Sequence, residues 1–404
     1  MEMKRLGYRK SRTGCAHCKQ RRVKCDEVRP TCGACRKHKL TCNLDSVVPH
    51  HKSALDTRSR FPRVQSLSTP LPNQTKYSPG YKRDAESNSQ SGDNLISDAE
   101  LIHHWTISTY QTISTRPEVQ DVIQKEVPKE AFRHKFLLHQ ILALTGYHIA
   151  YSNHSQRLIY HLKCSQHQEQ ALSGLTQALP DAITDVNCHA VYLASVFLAL
   201  TAFSSFPAYE RFNHSFSLIE NLMDIFILIN GTKTVVQSGK QYLHQGPFKA
   251  LSGGTVVKQA SHENTAMEDV MQALTIAKKR IEDPQWEPDL CNDHDMRHLS
   301  SGFLKLSAMI EDSTVTNGNA STAEYMTAIV WPMMLSSEMI AWLRLEPPAA
   351  LLLLSYYASV LSIAGDDFWF FEGWGEALAI YIMKRLEVTK WAKLLPNNTL
   401  ANYS

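Results

Sequence analysis

The chain has 404 residues, 43% of them hydrophobic and 20% charged, the proportions of an ordinary globular protein with room for two or three domains. The longest apolar run, Ala349 to Ala364, is interrupted by Ser355, Tyr356, Tyr357, Ser359 and Ser362. It is shorter than the ~20 residues that cross a bilayer, which excludes a membrane span and reads as a buried helix of a soluble protein. The net charge of +3 hides a sharp asymmetry: residues 1–42 hold 13 Lys/Arg against 3 Asp/Glu, and the remainder 29 against 36. One strongly basic module is therefore joined to a mildly acidic body.

In chain order, residues 1–14 form a basic arm without the apolar stretch of a secretory signal. Its Lys4, Arg5, Arg9, Lys10 and Arg12 suit either phosphate contacts or a nuclear import signal. Six of the nine cysteines follow within residues 15–42. Cysteines clustered in a chain without a secretory signal are metal ligands before they are disulfides. The spacing Cys15-x2-Cys18-x6-Cys25-x6-Cys32-x2-Cys35-x6-Cys42 is C-x2-C-x6-C written twice. A structural zinc takes four ligands in a tetrahedron. A single zinc leaves two cysteines idle, whereas two zincs need more bonds than six thiolates supply unless a pair of them bridges, one from each half. His17 and His38 sit inside the spacers, where they cannot complete two separate fingers.

Residues 12–42 resemble the fungal binuclear zinc-cluster DNA-binding domain. The resemblance implies that Cys15 and Cys32 bridge, that Cys18 and Cys25 complete one zinc, and that Cys35 and Cys42 complete the other. The family's central-loop proline matches Pro30. Between Cys18 and Cys25 lies Lys19-Gln20-Arg21-Arg22-Val23-Lys24, four cations in six residues. In such a module a short helix enters the major groove, where Arg or Lys pairs with guanine. By resemblance, Arg21 and Arg22 read bases, while Lys19 and Lys24 contact phosphates of double-stranded DNA. Many family members carry Lys-Lys at the reading positions and recognise CGG triplets, a pattern from which Arg21-Arg22 departs. The resemblance as a whole implies a zinc-dependent transcription factor acting in the nucleus on RNA polymerase II promoters.

Residues 43–96 are rich in Ser, Pro, Asn and Gln, with prolines at 49, 62, 70, 72 and 79, and are expected to form a disordered, flexible linker. No heptad survives those prolines, so both a homodimer and a monomer fit. The capping-box sequence Ser97-Asp98-Ala99-Glu100 predicts the start of a helix running to Arg116-Pro117. Apolar positions then recur at helical spacing through 131–151, 156–178, 188–204, 215–230, 265–281, 299–310, 323–343, 349–364 and 375–386. Residues 231–262 leave the pattern unassigned. The expected body is an all-α regulatory domain over 97–395, followed by a tail at 396–404.

Four phrases in this body, Leu101-Ile102-His103-His104-Trp105, Phe136-Leu137-Leu138-His139, Asn187-Cys188 and Phe371-Glu372-Gly373-Trp374-Gly375, resemble the regulatory domain of fungal factors of the sterol-uptake regulator type. That likeness implies an all-helical domain with a hydrophobic small-molecule ligand. Relatives of this kind control pathway genes, including secondary-metabolite clusters, as well as sterol genes. Residues 323–386 gather Trp331, Met333, Met334, Met339, Trp342, Leu351 to Leu354 and Phe368-Trp369-Phe370-Phe371. They suit either plain core or a pocket wall. In the second case Gly365 and the Gly373-Trp374-Gly375 turn frame a mobile segment that closes over the ligand.

Other chemistry finds little support. Cys291, His294 and His298, among Asp289, Asp293 and Asp295, have the outline of metal-ligand spacing, but the stretch reads as a polar loop with an Asp helix cap. His103, His104 and His139 are expected to be satisfied core or surface histidines, and Cys164, Cys188 and Cys291 reduced core or loop thiols. Gly253-Gly254-Thr255 lacks the frame of a phosphate loop, and no hydrolase, metalloprotease or dinucleotide motif occurs. The chain does not read as an enzyme.

Overall fold

A computed structural model describes residues 18, 21, 23, 25, 26, 28, 31–38, 87–179, 183–243, 245–252, 265–286, 291–316 and 320–396. The chain divides into two separately packed units, Met1–Arg58 and Ser59–Ser404. In the first, the described elements are a single turn of helix, α1 (Gly33–Lys37), and the loop leading to it. The second is helical throughout its described residues, with no strand.

The body opens with α2 (Ser87–Ile107), ten residues ahead of the predicted cap at Ser97. Extending a packed helix requires no new nucleus, so the polar residues before Ser97 join it without an apolar period to announce them. The rest of the predicted linker, 43–86, lies outside the described residues. The helix also ends earlier than predicted, at Ile107, and a 3-10 turn (Thr109–Thr112) leads to α3 (Pro117–Ala131). The sequence reading passed over α3. Pro117 takes its first position, where a missing N–H costs nothing, and Val119, Ile123 and Val127 are its buried stripe. Pro128 argues against a helix, but it falls in the last turn, where the chain is already leaving.

Helices α4 (Lys135–Ser152) and α5 (Arg157–Ala178) pack together as a hairpin across the 3-10 turn His154–Gln156. Between α4 and α7 (Leu218–Leu243) runs α6 (Cys188–Ala208). A helix apolar on every side belongs in a core, and α6 buries Val191, Phe197, Leu200 and Phe203. Gln140 of α4 is 1% exposed and is satisfied there by donating to the Phe197 carbonyl (3.2 Å) and Thr201 Oγ1 (2.6 Å). The unassigned 231–243 continues α7, and α8 (Lys249–Ser252) follows it.

The second half comprises α9 (Thr265–Ile281), α10 (Asp293–Thr316), α11 (Ala320–Met333), α12 (Ser337–Arg344), α13 (Pro348–Asp367) and α14 (Trp374–Leu386). The predicted buried helix at 349–364 is α13. Both α13 and the α6 segment are long and apolar enough to cross a membrane, yet their apolar windows are 78% and 83% buried within the fold. Tyr357 OH donates to the Ala328 carbonyl (2.7 Å), tying α13 to α11, and Tyr356 OH to that of Leu394 (2.6 Å). Each polar tip is thereby paired where water is excluded.

The Gly373-Trp374-Gly375 turn, expected with Gly365 to frame a mobile segment if a pocket exists, is packed into the core. Phe370, Phe371 and Trp374 are all 0% exposed, and Trp374 Nε1 donates to the Phe203 carbonyl at 2.9 Å. Gly373 holds φ +76°, which suits glycine alone, while a Cβ on Gly375 would stand 2.5 Å from the Ala358 carbonyl oxygen. Glu372 is tied to Arg211 (3.0 Å) and accepts from Tyr151 OH. The turn is a wedge between helices. Of the residues expected to form core or pocket wall, Trp331, Met339, Trp342, Leu351 to Leu354, Phe370 and Phe371 are core. Met333 and Phe368 line a cavity of about 540 Å³.

Candidate zinc cluster and DNA-reading face

Among the described residues of the first unit, the buried side chains are thiols. Cys18, Cys25, Cys32 and Cys35 are each at most 4% exposed and form its buried cluster, with Ala34 packed against them. All four are free of disulfides. Cys18 and Cys32 Sγ lie 3.6 Å apart. Two thiolates each ~2.3 Å from one tetrahedral zinc stand about 3.8 Å apart, so this spacing fits a shared zinc. The sulfurs of Cys18, Cys32 and Cys35 all lie within 4.8 Å of one another, and so do the ligand atoms of Cys25, Asp26 and Cys32. Cys32 is common to both groups, and it lies within reach of cysteines from both halves of the duplicated motif. Cys15 and Cys42, and the matched Pro30, lie outside the described residues.

Helix α1 begins inside the second C-x2-C knuckle and is built on the same cysteines. Cys32 caps it, its sulfur accepting from the Cys35 amide at 3.4 Å. An N–H aimed at the sulfur favours the thiolate that zinc requires. Arg36 and Lys37 occupy the last turn, where cations oppose the helix dipole. Arg36 also reaches back to the Thr31 carbonyl at 3.3 Å.

A contact missed in the sequence locks the two halves together. Both carboxylate oxygens of Asp26 accept from the Gly33 amide at 2.9 Å. A Cβ on Gly33 would meet Asp26 Oδ2 at 2.4 Å, so the carboxylate sits where any larger residue would put its side chain. The signal was present, an acid directly after the third cysteine and a glycine directly after the fourth, but the pairing spans seven residues and follows no helical period. Because its oxygens are engaged at Gly33, Asp26 is a helix cap beside the cluster.

On the first knuckle, Cys18 is helical, and its carbonyl accepts from the Val23 amide at 3.1 Å. Arg21 is exposed, and Val23 is 45% exposed. Lys19, Arg22 and Lys24 lie outside the described residues.

Among the described residues, the histidine–cysteine cluster in the body does not converge as a metal site. The predicted polar loop at 291–298 is instead the start of α10. Asn292 Oδ1 accepts from the Asp295 amide (2.9 Å), and Asp295 answers toward the Asn292 amide (3.4 Å), a reciprocal capping box. Asp295 also accepts from Trp342 Nε1 at 2.8 Å. His294 and His298 pair Nε2 to Nε2 at 3.0 Å, and His298 stacks on Trp342. Among the described residues they join no group of three converging metal ligands. Cys291 is half-buried, its thiol pushed up to about 11 by burial and by the Asp295 carboxylate. His104 and His139 are packing histidines whose burial lowers their pKa.

Residues 13–48 match the fungal Zn(2)-Cys(6) binuclear cluster domain, and residues 100–301, half of the chain, match the fungal specific transcription factor domain. The chain therefore belongs to the fungal Zn(2)-Cys(6) transcription factors, a family of regulators rather than enzymes, whose cluster holds two zinc ions. It is 29% identical to the Zn(2)-C6 fungal-type transcription factor afumD of Aspergillus fumigatus over 229 residues, 55% of this chain and 56% of that protein. With a Zn(2)-C6 fungal-type transcription factor of Gibberella zeae it shares 26% identity over 237 residues, 50% of this chain and 48% of the other. It is also 64% identical to sterol uptake control protein 2 of Candida albicans over 39 residues, 10% of this chain and 6% of that protein. The chain spans about half the length of the first two relatives.

Proposed function

We propose that this chain binds double-stranded DNA at RNA polymerase II promoters in the nucleus and regulates transcription there. The observation that carries the reading is the buried cluster of Cys18, Cys25, Cys32 and Cys35, set in a segment holding 13 Lys/Arg against 3 Asp/Glu. In this reading Cys15 and Cys32 bridge the two zincs, Cys18 and Cys25 complete one, and Cys35 and Cys42 complete the other. The zinc supplies the core that so short a segment cannot build from apolar side chains. Arg21 and Arg22 then present guanidinium forks to guanine edges, while Lys19 and Lys24 hold phosphates. The exposure of Arg21 supports its part. The targets are metabolic-pathway genes, of secondary-metabolite or of sterol and lipid type, a reading supported by the resemblance of the body to such regulators.

The test is a salt titration of DNA binding by the full chain and two variants. Affinity falls steeply with salt as phosphate contacts release counterions. Arg22→Ala costs about 1–3 kcal/mol on the preferred site and relaxes one base position, whereas Lys24→Ala weakens all sequences alike and shallows the salt slope. Equal losses on specific and random DNA from both variants would overturn the division into readers and clamps.

A further inference from the structure

The cavity in the body has the makings of a binding site for one chemical class. It lies among the segment leading into α3, the helices α6, α7 and α11, and Phe368 at the end of α13. At about 540 Å³ it falls within the roughly 300–1,000 Å³ of small-molecule sites. Its depth is apolar, with Leu193, Phe197, Leu200 and Ile229 all buried, and Met333 adds an adaptable wall.

Three polar features give the cavity a direction. Tyr192 and Tyr325 face it from α6 and α11, and neither hydroxyl has a hydrogen-bond partner among the described residues. Burial raises the pKa of both, so they remain neutral and able to donate or accept. Each hydroxyl is therefore an uncommitted donor and acceptor for a guest oxygen. Toward solvent, Arg116 is already paired with Glu118 at 2.6 Å. Lys233 is exposed on the same rim and makes no ion pair among the described residues. No Asp or Glu lines the cavity among those residues.

We propose that this cavity binds an apolar monocarboxylic acid, its carboxylate at Lys233 and an oxygen-bearing or unsaturated body running inward past Tyr192 and Tyr325. A carboxylate gains an ion pair with Lys233 that a neutral lipid does not. A phosphate dianion would call for more than one uncommitted cation. The inference stands apart from the DNA reading, since it concerns binding in the body alone.

The test uses cis-parinaric acid, a fatty acid that fluoresces on leaving water, and its methyl ester, each titrated against the full chain. The acid is expected to bind saturably at one site, and the ester at least about fivefold more weakly. Lys233→Ala, on an exposed position, should weaken the acid about five- to tenfold and leave the ester unchanged, bringing the two together. Val196→Trp fills the cavity and should abolish binding of both, with helicity and melting temperature checked against the parent. If that variant is misfolded, the Lys233→Ala comparison alone decides. Absence of saturable binding, equal affinity for acid and ester, or an unchanged acid affinity in Lys233→Ala would overturn the proposal.

Discussion

Cys32 and its neighbour Gly33 concentrate the demands placed on the first unit. Cys32 caps α1, is fully buried and is the proposed bridge, so Cys32→Ser should release both zinc ions, whereas Cys35→Ser should release mainly one. Native mass spectrometry of the full chain counts them; retention of one zinc by Cys32→Ser would argue against a bridge there. Gly33→Ala must displace the Asp26 carboxylate from a position 2.4 Å from the new Cβ. It should speed zinc loss to a chelator, and Asp26→Ala, which removes a cap of about 1–2 kcal/mol, should do the same. In the body, His148 lies against Trp369 and bonds Thr109 at 3.0 Å, and burial lowers its pKa from 6.5 to about 4. It is neutral in the fold, whereas the unfolded chain takes up a proton below pH 6.5. Its contribution is therefore complete above pH 6.5 and is lost as the pH falls toward 4, to the extent of about 3 kcal/mol. All seven tryptophans lie in the body, so their fluorescence follows its unfolding. Denaturant titrations at pH 7 and pH 4.5 should show a smaller acid loss for His148→Gln than for the parent, and equal losses would remove His148 from the account.

Helix contacts in the body make contrasting demands on glycine. Gly375 lets α14 approach α13 so closely that a Cβ would stand 2.5 Å from both the Ala358 oxygen and the Ser362 nitrogen. Backbone cannot yield as a flexible side chain can, so Gly375→Ala should cost at least about 2–3 kcal/mol. Gly231, midway along α7, has nothing within 4 Å of its Cβ position, and Gly231→Ala should stabilise by up to about 1 kcal/mol. Thermal unfolding of the two variants checks the opposite signs. The same contrast explains which elements the sequence disclosed. Helices α4, α6 and α13 are wide apolar runs and were plain to see. Helix α3 has a thin stripe of Val119, Ile123 and Val127 and ends with a proline, and the start of α2 has no stripe at all. Cys291, His294 and His298 had the outline of metal-ligand spacing, but Asn292 and Asp295 use that stretch to cap a helix, because a carboxylate that could hold a metal can equally accept a helix N–H.

At the scale of the molecule, the two units were visible in the uneven charge and in the duplicated cysteine spacing, since metal ligation leaves a signature that packing does not. The cavity was only half visible. Met333 and Phe368 come from the segment suspected of lining a pocket, but most of the wall comes from α3, α6 and α7, hundreds of residues away in places. No periodicity records which core side chains fall short of meeting. The central claim is that a zinc-held head reads DNA sequence, and selection of bound duplexes from a randomised library tests it most directly. The full chain would be used as purified, after zinc removal by a chelator, and after zinc is returned. The account predicts one enriched base pattern that disappears with the metal and comes back with it. A library that enriches for no pattern, or a pattern that persists without zinc, would contradict it.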